Sequence, residues 1–198
     1  MSDRDAILKR IRSHAPAPRA LPDVPTFETD YPATPAAFGV SLAIMGGIWD
    51  ATFVDRRPDG PALTAYIRSL FPDGGVFCSA VEDIAGDFPL TEATPPGSLA
   101  GVEVGIVQAG FAVAETGSVW LSERECRINS LGYLAQHLVV LLSVADILPN
   151  LHVAYRRAEF LTARYSVLMS GPSATADIEG VLIRGAQGVR SLRVIGLP

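Results

Sequence analysis

The stretch that most narrows what this chain can fold into is residues 137–143, His-Leu-Val-Val-Leu-Leu-Ser. Its five central residues, Leu138 to Leu142, are all apolar, so neither side of the segment is left for water. A run this short and this rich in branched side chains reads as a strand covered on both faces, the signature of a parallel sheet packed between other layers. It is far too short to cross a bilayer.

Patterns of helix and strand alternate around it. Residues 3–13 place Ile7, Leu8 and Ile11 on one stripe of a short amphipathic helix. Residues 15–35 hold Pro16, Pro18, Pro22, Pro25, Pro32 and Pro35, a density that excludes helix and central strand. That segment reads as an extended arm lying over the domain or reaching to a neighbour, which leaves a homo-oligomer open. Residues 36–45 predict a helix ended by Gly46-Gly47, and residues 48–54 a strand. A helix follows Asp59-Gly60-Pro61 as far as about Leu70, then a strand from Val76 to Ser79. Residues 82–100, rich in Pro, Gly and acids, form a long loop of the kind that is often functional or mobile. Residues 101–109 predict a strand, and residues 112–122 two extended pieces around Glu115-Thr116-Gly117, with Gly117 supplying the turn. After the 137–143 strand come a helix over about 146–160 and a buried strand at 165–169. The next helix has Ile178, Val181 and Leu182 on its apolar face and ends at Gly185 and Gly188. Leu192 to Leu197 closes the sheet. With right-handed crossovers the default, the reading is a three-layer α/β/α domain with a largely parallel sheet over residues 32–198. The 110–122 hairpin is its irregular part, and residues 1–31 form a helix and arm before it.

A chain of 198 residues is most economically one domain and buries about 70% of the surface of its extended form. The net charge of −5 gives no electrostatic reason to bind nucleic acid or an anionic membrane. Cys78 and Cys126 have no CxxC partner, and His14, His137 and His152 lack HExxH spacing, so neither a metal held by this chain alone nor any other cofactor is expected. Two thiols fit a reducing compartment. The N-terminus carries Asp3 and Asp5 and no apolar core, unlike a signal peptide. A soluble, cytoplasmic protein is the expectation. No GxGxxG or Walker A pattern occurs.

Residues 171–179, Gly-Pro-Ser-Ala-Thr-Ala-Asp-Ile-Glu, follow a strand and lead into the predicted helix, the place where open α/β sheets commonly bind ligands. Ser173 or Thr175 would cap that helix, or its free N–H groups would hold a carboxylate or phosphate. Asp177 and Glu179 offset much of the positive end, so any anion site there is modest. The segment approaches a G-x-S-x-G elbow, but Thr175 replaces the second Gly and no His follows Ser173; a serine hydrolase is not expected. Glu115 sits at a turn between apolar segments. Folded inward, it would have a raised pKa and serve as acid, base or nucleophile; facing water, it is an ordinary turn residue. The plainer reading of His137 is a strand-end imidazole bonded to backbone. Trp120 reads as a packing anchor and Cys78 as buried and inert. Arg127 reads equally as a clamp for a substrate carboxylate and as a helix-surface residue.

Three segments together resemble the LUD-domain family, lactate utilization protein C group: Ala112 to Ser122 (AVAETGSVWLS), His137 ahead of its apolar run, and residues 170–188 (SGPSATADIEGVLIRGAQG). The family pattern is an A-E-T-G turn, then G-P-S-x-T-A-D-I-E some fifty residues on, then G-x-H-G. Gln187 stands at the position of that last His, and Leu134 where a Pro often precedes the His137 position. The resemblance spans about residues 32–198 and takes in the N-terminal helix loosely. It implies a fold similar to that of the ribose-phosphate isomerase and coenzyme A transferase superfamily. It also implies a part in oxidising L-lactate to pyruvate beside partners that carry iron–sulfur clusters. Carried over by position, the catalytic candidate is Glu115. The ligand-binding candidates, for a small carboxylate or phosphate, are Thr116, Gly117, His137, Gly171, Ser173, Thr175, Asp177 and Glu179. The alternatives are a stand-alone enzyme using Glu115 on an acyl-CoA or phosphosugar, and a non-catalytic module that binds a small anion.

Overall fold

The computed structural model of the protein describes residues 2–20, 22–23, 31–91, 93–175 and 182–198. In chain order the elements are α1 (Asp3–Ser13), α2 (Pro35–Ile44), β1 (Ile48–Asp50), α3 (Gly60–Ser69), β2 (Phe77–Ser79) and β3 (Val104–Gln108). There follow β4 (Phe111–Val113), β5 (Ser118–Ser122), α4 (Glu123–Cys126), α5 (Leu131–Leu134), β6 (His137–Ser143) and β7 (Ile147–Leu148). The chain ends with α6 (Leu151–Ala154), α7 (Ala158–Thr162), β8 (Ser166–Met169), β9 (Ala174–Thr175), β10 (Ile183–Arg184) and β11 (Ser191–Leu197). α1 opens on a capping box between Ser2 and Asp5, yet none of its residues is buried and Ile7 and Ile11 stand exposed. Its apolar stripe meets no core. Residues 15–20 of the Pro-rich arm are exposed and irregular, and residues 24–30 lie outside the described ones.

Among the described residues, five strands pair in parallel in the order β1-β11-β6-β3-β2. β6 lies at the centre, as an all-apolar strand must. Its side chains alternate: Val139 and Leu141 pack with Leu63 and Ile67 of α3, while Leu138, Val140 and Leu142 pack with Phe38 and Leu42 of α2. β11 does not close an edge but runs between β1 and β6.

The hairpin is not an irregular appendage. It forms the centre of a second sheet, ordered β7-β4-β5-β8, with Ala112, Ala114, Val119 and Leu121 turned toward the β6 core. Phe111, Val113 and Trp120 face the other way and pack with Ala154 and Phe160 from α6 and α7. Burying both sides of the hairpin is what ties this sheet into the α/β domain.

Four local expectations differ from the structure. The 48–54 strand stops at Asp50, where the chain turns. The single helix over 146–160 is instead a 3₁₀ turn, β7, α6 and α7, because Pro149 cannot continue a ladder and Asn150 caps a new helix through Val153 N–H. The 165–169 strand is a half-buried edge of the second sheet. Most consequentially, Ala174–Thr175 and Ile183–Arg184 pair as antiparallel strands, so no helix ends at Gly185. Gly185 follows β10 at φ +78. Ile178 and Val181 lie outside the described residues.

Candidate functional site

The Glu115-Thr116-Gly117 turn is held at both ends. Ala114 and Glu115 N–H donate to the Leu148 and Pro149 carbonyls at 2.8 and 3.1 Å. Gly117 has φ +62, and a Cβ there would lie 2.3 Å from Leu42 N. Glycine is thus required twice, once for the dihedral and once for the close seat on α2. The turn faces water: Glu115 is exposed, and its Oε2 accepts from Leu151 N–H at 3.1 Å, one of the unpaired donors at the start of α6. Of the two readings the sequence left open, this is the solvated one.

Gly171 is the counterpart. Its φ is +81, and a Cβ would come within 2.2 Å of Met45 O, just past the end of α2. Two turns distant in sequence therefore seat against one helix. A chain of hydroxyls links them: Thr116 Oγ1 lies 2.6 Å from Ser118 Oγ, which lies 2.5 Å from Ser170 Oγ. Ser170 lines two hollows. One, about 320 Å³, has Glu115, Thr116, Ile44 and Met45 in its walls; the other, about 260 Å³, has Gly171, Ser173, Gln187 and Tyr133. Ser173 is fixed through its backbone, its N–H donating to Val189 O and its carbonyl accepting from Gly185 N–H, both at 2.9 Å. Glu115 and Thr116 thus line one hollow and Gly171, Ser173 and Gln187 the other, with Ser170 in both; Gly117 seats the first turn and Ser118 joins the hydroxyl chain. Ser118 and Ser170 were missed because a hydroxyl pair between segments 52 residues apart leaves no sequence spacing to find. Thr175 lies in β9 opposite Ile183. Asp177 and Glu179 lie outside the described residues.

His137 stands apart from this group. It shares the face of Val139 and Leu141, under α3, whereas the turns sit against α2 on the other face. Its Nδ1 lies 2.7 Å from Ser191 Oγ, its Nε2 3.5 Å from Glu103 Oε1, and its ring 5.2 Å from that of Phe71. Its side-chain partners are another hydroxyl and a carboxylate. Both thiols are buried; burial pushes Cys78 up to about 11, and burial with the Glu125 charge pushes Cys126 up to about 12. Neither is a ready nucleophile. Among the described residues no helix is long and apolar enough to cross a membrane.

By fold and site this is an α/β domain in which a glycine turn and a serine loop, each seated on one helix, meet through a chain of three hydroxyls. The family model of the LUD domain matches residues 98–196, half of the chain and the part that holds both turns. The chain belongs to the LUD domain family. It is 32% identical over 93 residues to the Escherichia coli (strain K12) "Uncharacterized protein YkgG", an alignment covering 43% of this chain and 40% of that protein's length. The crystal structure of a DUF162 family protein from Deinococcus radiodurans superposes with a TM-score of 0.56 over 82% of this chain and 95% of that one. At 14% identity that likeness establishes the fold alone.

Proposed function

We propose that this protein is an accessory subunit in L-lactate utilisation. In this reading it assists the oxidation of lactate to pyruvate by partner proteins that carry iron–sulfur clusters, and it binds a small carboxylate. The observation that carries the reading is the family match over residues 98–196, in a family associated with lactate utilisation. The geometry supports binding over chemistry at Glu115. The carboxylate is exposed, and its Oε2 is already engaged by Leu151 N–H. The hollow beside Ser173 and Gln187 offers the carboxylate's place, since the hydroxyl-bearing Ser170 and Ser173 and the amide-bearing Gln187 line a small volume there.

The test has two arms. Tagged protein purified from lactate-grown cells should bring down proteins with the visible absorption of iron–sulfur clusters. The isolated chain should melt at a higher temperature with L-lactate or pyruvate, and not with a phosphosugar or coenzyme A, because a ligand of the native state stabilises it by mass action. If no cluster-bearing protein copurifies and neither 2-oxygenated acid shifts the melt, the reading fails. Turnover of an acyl-CoA or phosphosugar that Glu115→Gln abolishes would replace it with the stand-alone enzyme.

A further inference from the structure

We propose that the cleft that adjoins the carboxyl ends of β2 and β3, between α4, the 82–100 loop and the end of α7, is an oxyanion site, in which Arg124 and Arg127 hold the phosphate or carboxylate of a small organic ligand. Open parallel sheets bind ligands outside the carboxyl ends of their strands. Here Ala80, at the end of β2, and Gln108, Ala109 and Gly110, at the end of β3, form the floor of a hollow of about 420 Å³. A larger cleft of about 760 Å³ adjoins it, and Arg124 and Arg127 line both. These are volumes of small-molecule sites. The serine loop described above follows the end of β8, whereas this cleft takes Arg164 from just before its start, so the two are separate sites.

The charge is arranged for an anion. Among the described residues neither Arg124 nor Arg127 has an ion-pair partner. Two of the carboxylates in the walls, Glu125 of the strand-end hollow and Glu123 of the larger cleft, are engaged by donors of their own. Glu125 Oε2 accepts from Ser122 N–H at 2.8 Å and from its hydroxyl at 2.5 Å, closing a capping box that fixes α4 beneath Arg124. Glu123 accepts from the N–H groups of Arg164 and Tyr165, both at 3.1 Å, which lowers its pKa and keeps it ionised. Arg164 stands on the rim, 3.8 Å from Glu123. Glu82 and Asp146 border the strand-end hollow, which directs the anion to the larger cleft, where Thr91 and Thr162 add hydroxyls. Thr91 comes from the long 82–100 loop, which thereby forms one wall. Guanidinium groups suit this work, since their paired N–H donors match the oxygens of carboxylate and phosphate.

The backbone supplies an independent sign. Arg127 has φ 56 and ψ −45, and Ile128 N–H donates to Cys126 O across it at 2.6 Å. This is the rare hand of γ-turn, strained for any residue with a side chain. Among the described residues it is the one non-glycine at positive φ. Such strain persists where a site needs the side chain it carries; a glycine would relieve the strain but lose the guanidinium.

The experiment is a titration of the full chain with inorganic phosphate and with oxalate, at constant ionic strength, beside Arg124→Gln and Arg127→Gly. Saturable binding of at least one anion is expected, weakened about tenfold or more in each variant, the loss of a charge-assisted hydrogen bond. Arg127→Gly should melt no lower than the parent, so its lost affinity is not lost folding. Tighter binding of phosphate points to a phosphorylated ligand, and of oxalate to a carboxylated one. No saturable binding, or a loss below about tenfold in either variant, overturns the proposal. The titration needs no partner protein and no lactate, so its outcome is separate from that of the lactate-utilisation reading.

Discussion

Gly117 and Arg127 sit at nearly the same positive φ, +62 and +56, for opposite reasons. At Gly117 the space is taken: Leu42 N, Ser41 C and Leu42 Cα would all lie within 2.6 Å of a Cβ. The dihedral and the contact both demand glycine. At Arg127 the side chain is exposed, and nothing in the packing asks for arginine. Gly117 records how closely two elements approach; a large residue at such a φ marks a side chain worth holding in a strained position.

The largest effect that sharpens this contrast is Gly117→Ala. Strain adds about 1–3 kcal/mol and overpacking against a helix backbone, which cannot yield as a side chain would, about as much again. A loss of roughly 3–5 kcal/mol is expected by urea denaturation. Gly171→Ala should follow closely, since its Cβ would meet Met45 O at 2.2 Å. A loss below about 1 kcal/mol at either position would show that α2 shifts easily, and the contrast would collapse.

How these turns read in sequence depends on what enforces them. The 115–117 turn was legible because its glycine separates two apolar runs, and β6 because both its faces are buried, which forbids any polar residue. The strand at 165–169 was misplaced: its apolar run is that of a central strand, but Ser166 to Met169 pair on one side only and remain half-buried. The β9–β10 pairing was hidden because Ile178, Val181 and Leu182 repeat with helical spacing, while the pairing depends on Ser173 being clamped by Val189 and Gly185. Contacts between segments that distant leave no local period. The γ-turn at Arg127 left none either, since one strained residue has no pattern.

A middling effect tests the link between the turns. Ser118 is buried and bonds both Thr116 and Ser170. Ser118→Ala should cost about 1–2 kcal/mol, the net loss of hydrogen bonds to two half-buried partners. It should also raise amide exchange in residues 170–173 before the rest of the fold, because the loop loses its tie to the hairpin. Exchange that rises uniformly would mean the hydroxyls only fill space. Arg127→Gly reverses the sign of the glycine substitutions. Relief of about 1–3 kcal/mol of strain, set against the extra freedom glycine gives the unfolded chain, about 0.5–1 kcal/mol, should leave a gain near 1 kcal/mol by the same denaturation curve. Destabilisation would mean that the arginine is there for the fold.

The smallest effect lies within the Gly117 turn itself. Glu115 is two residues from the most constrained position in the turn, yet its side chain projects to water and has one backbone donor, Leu151 N–H. Glu115→Gln keeps an acceptor oxygen for that donor and removes only the charge, which at an exposed helix start contributes about 0.3–1 kcal/mol. The stability change should therefore stay within that range and shrink further in salt, where exposed charges are screened. Because packing fixes the turn through Gly117 and leaves position 115 free, this variant separates folding from function. A Glu115→Gln protein that melts like its parent but no longer captures cluster-bearing partners, or no longer responds to lactate, would assign the carboxylate to recognition. One that retains both would leave it as the outside cap of α6.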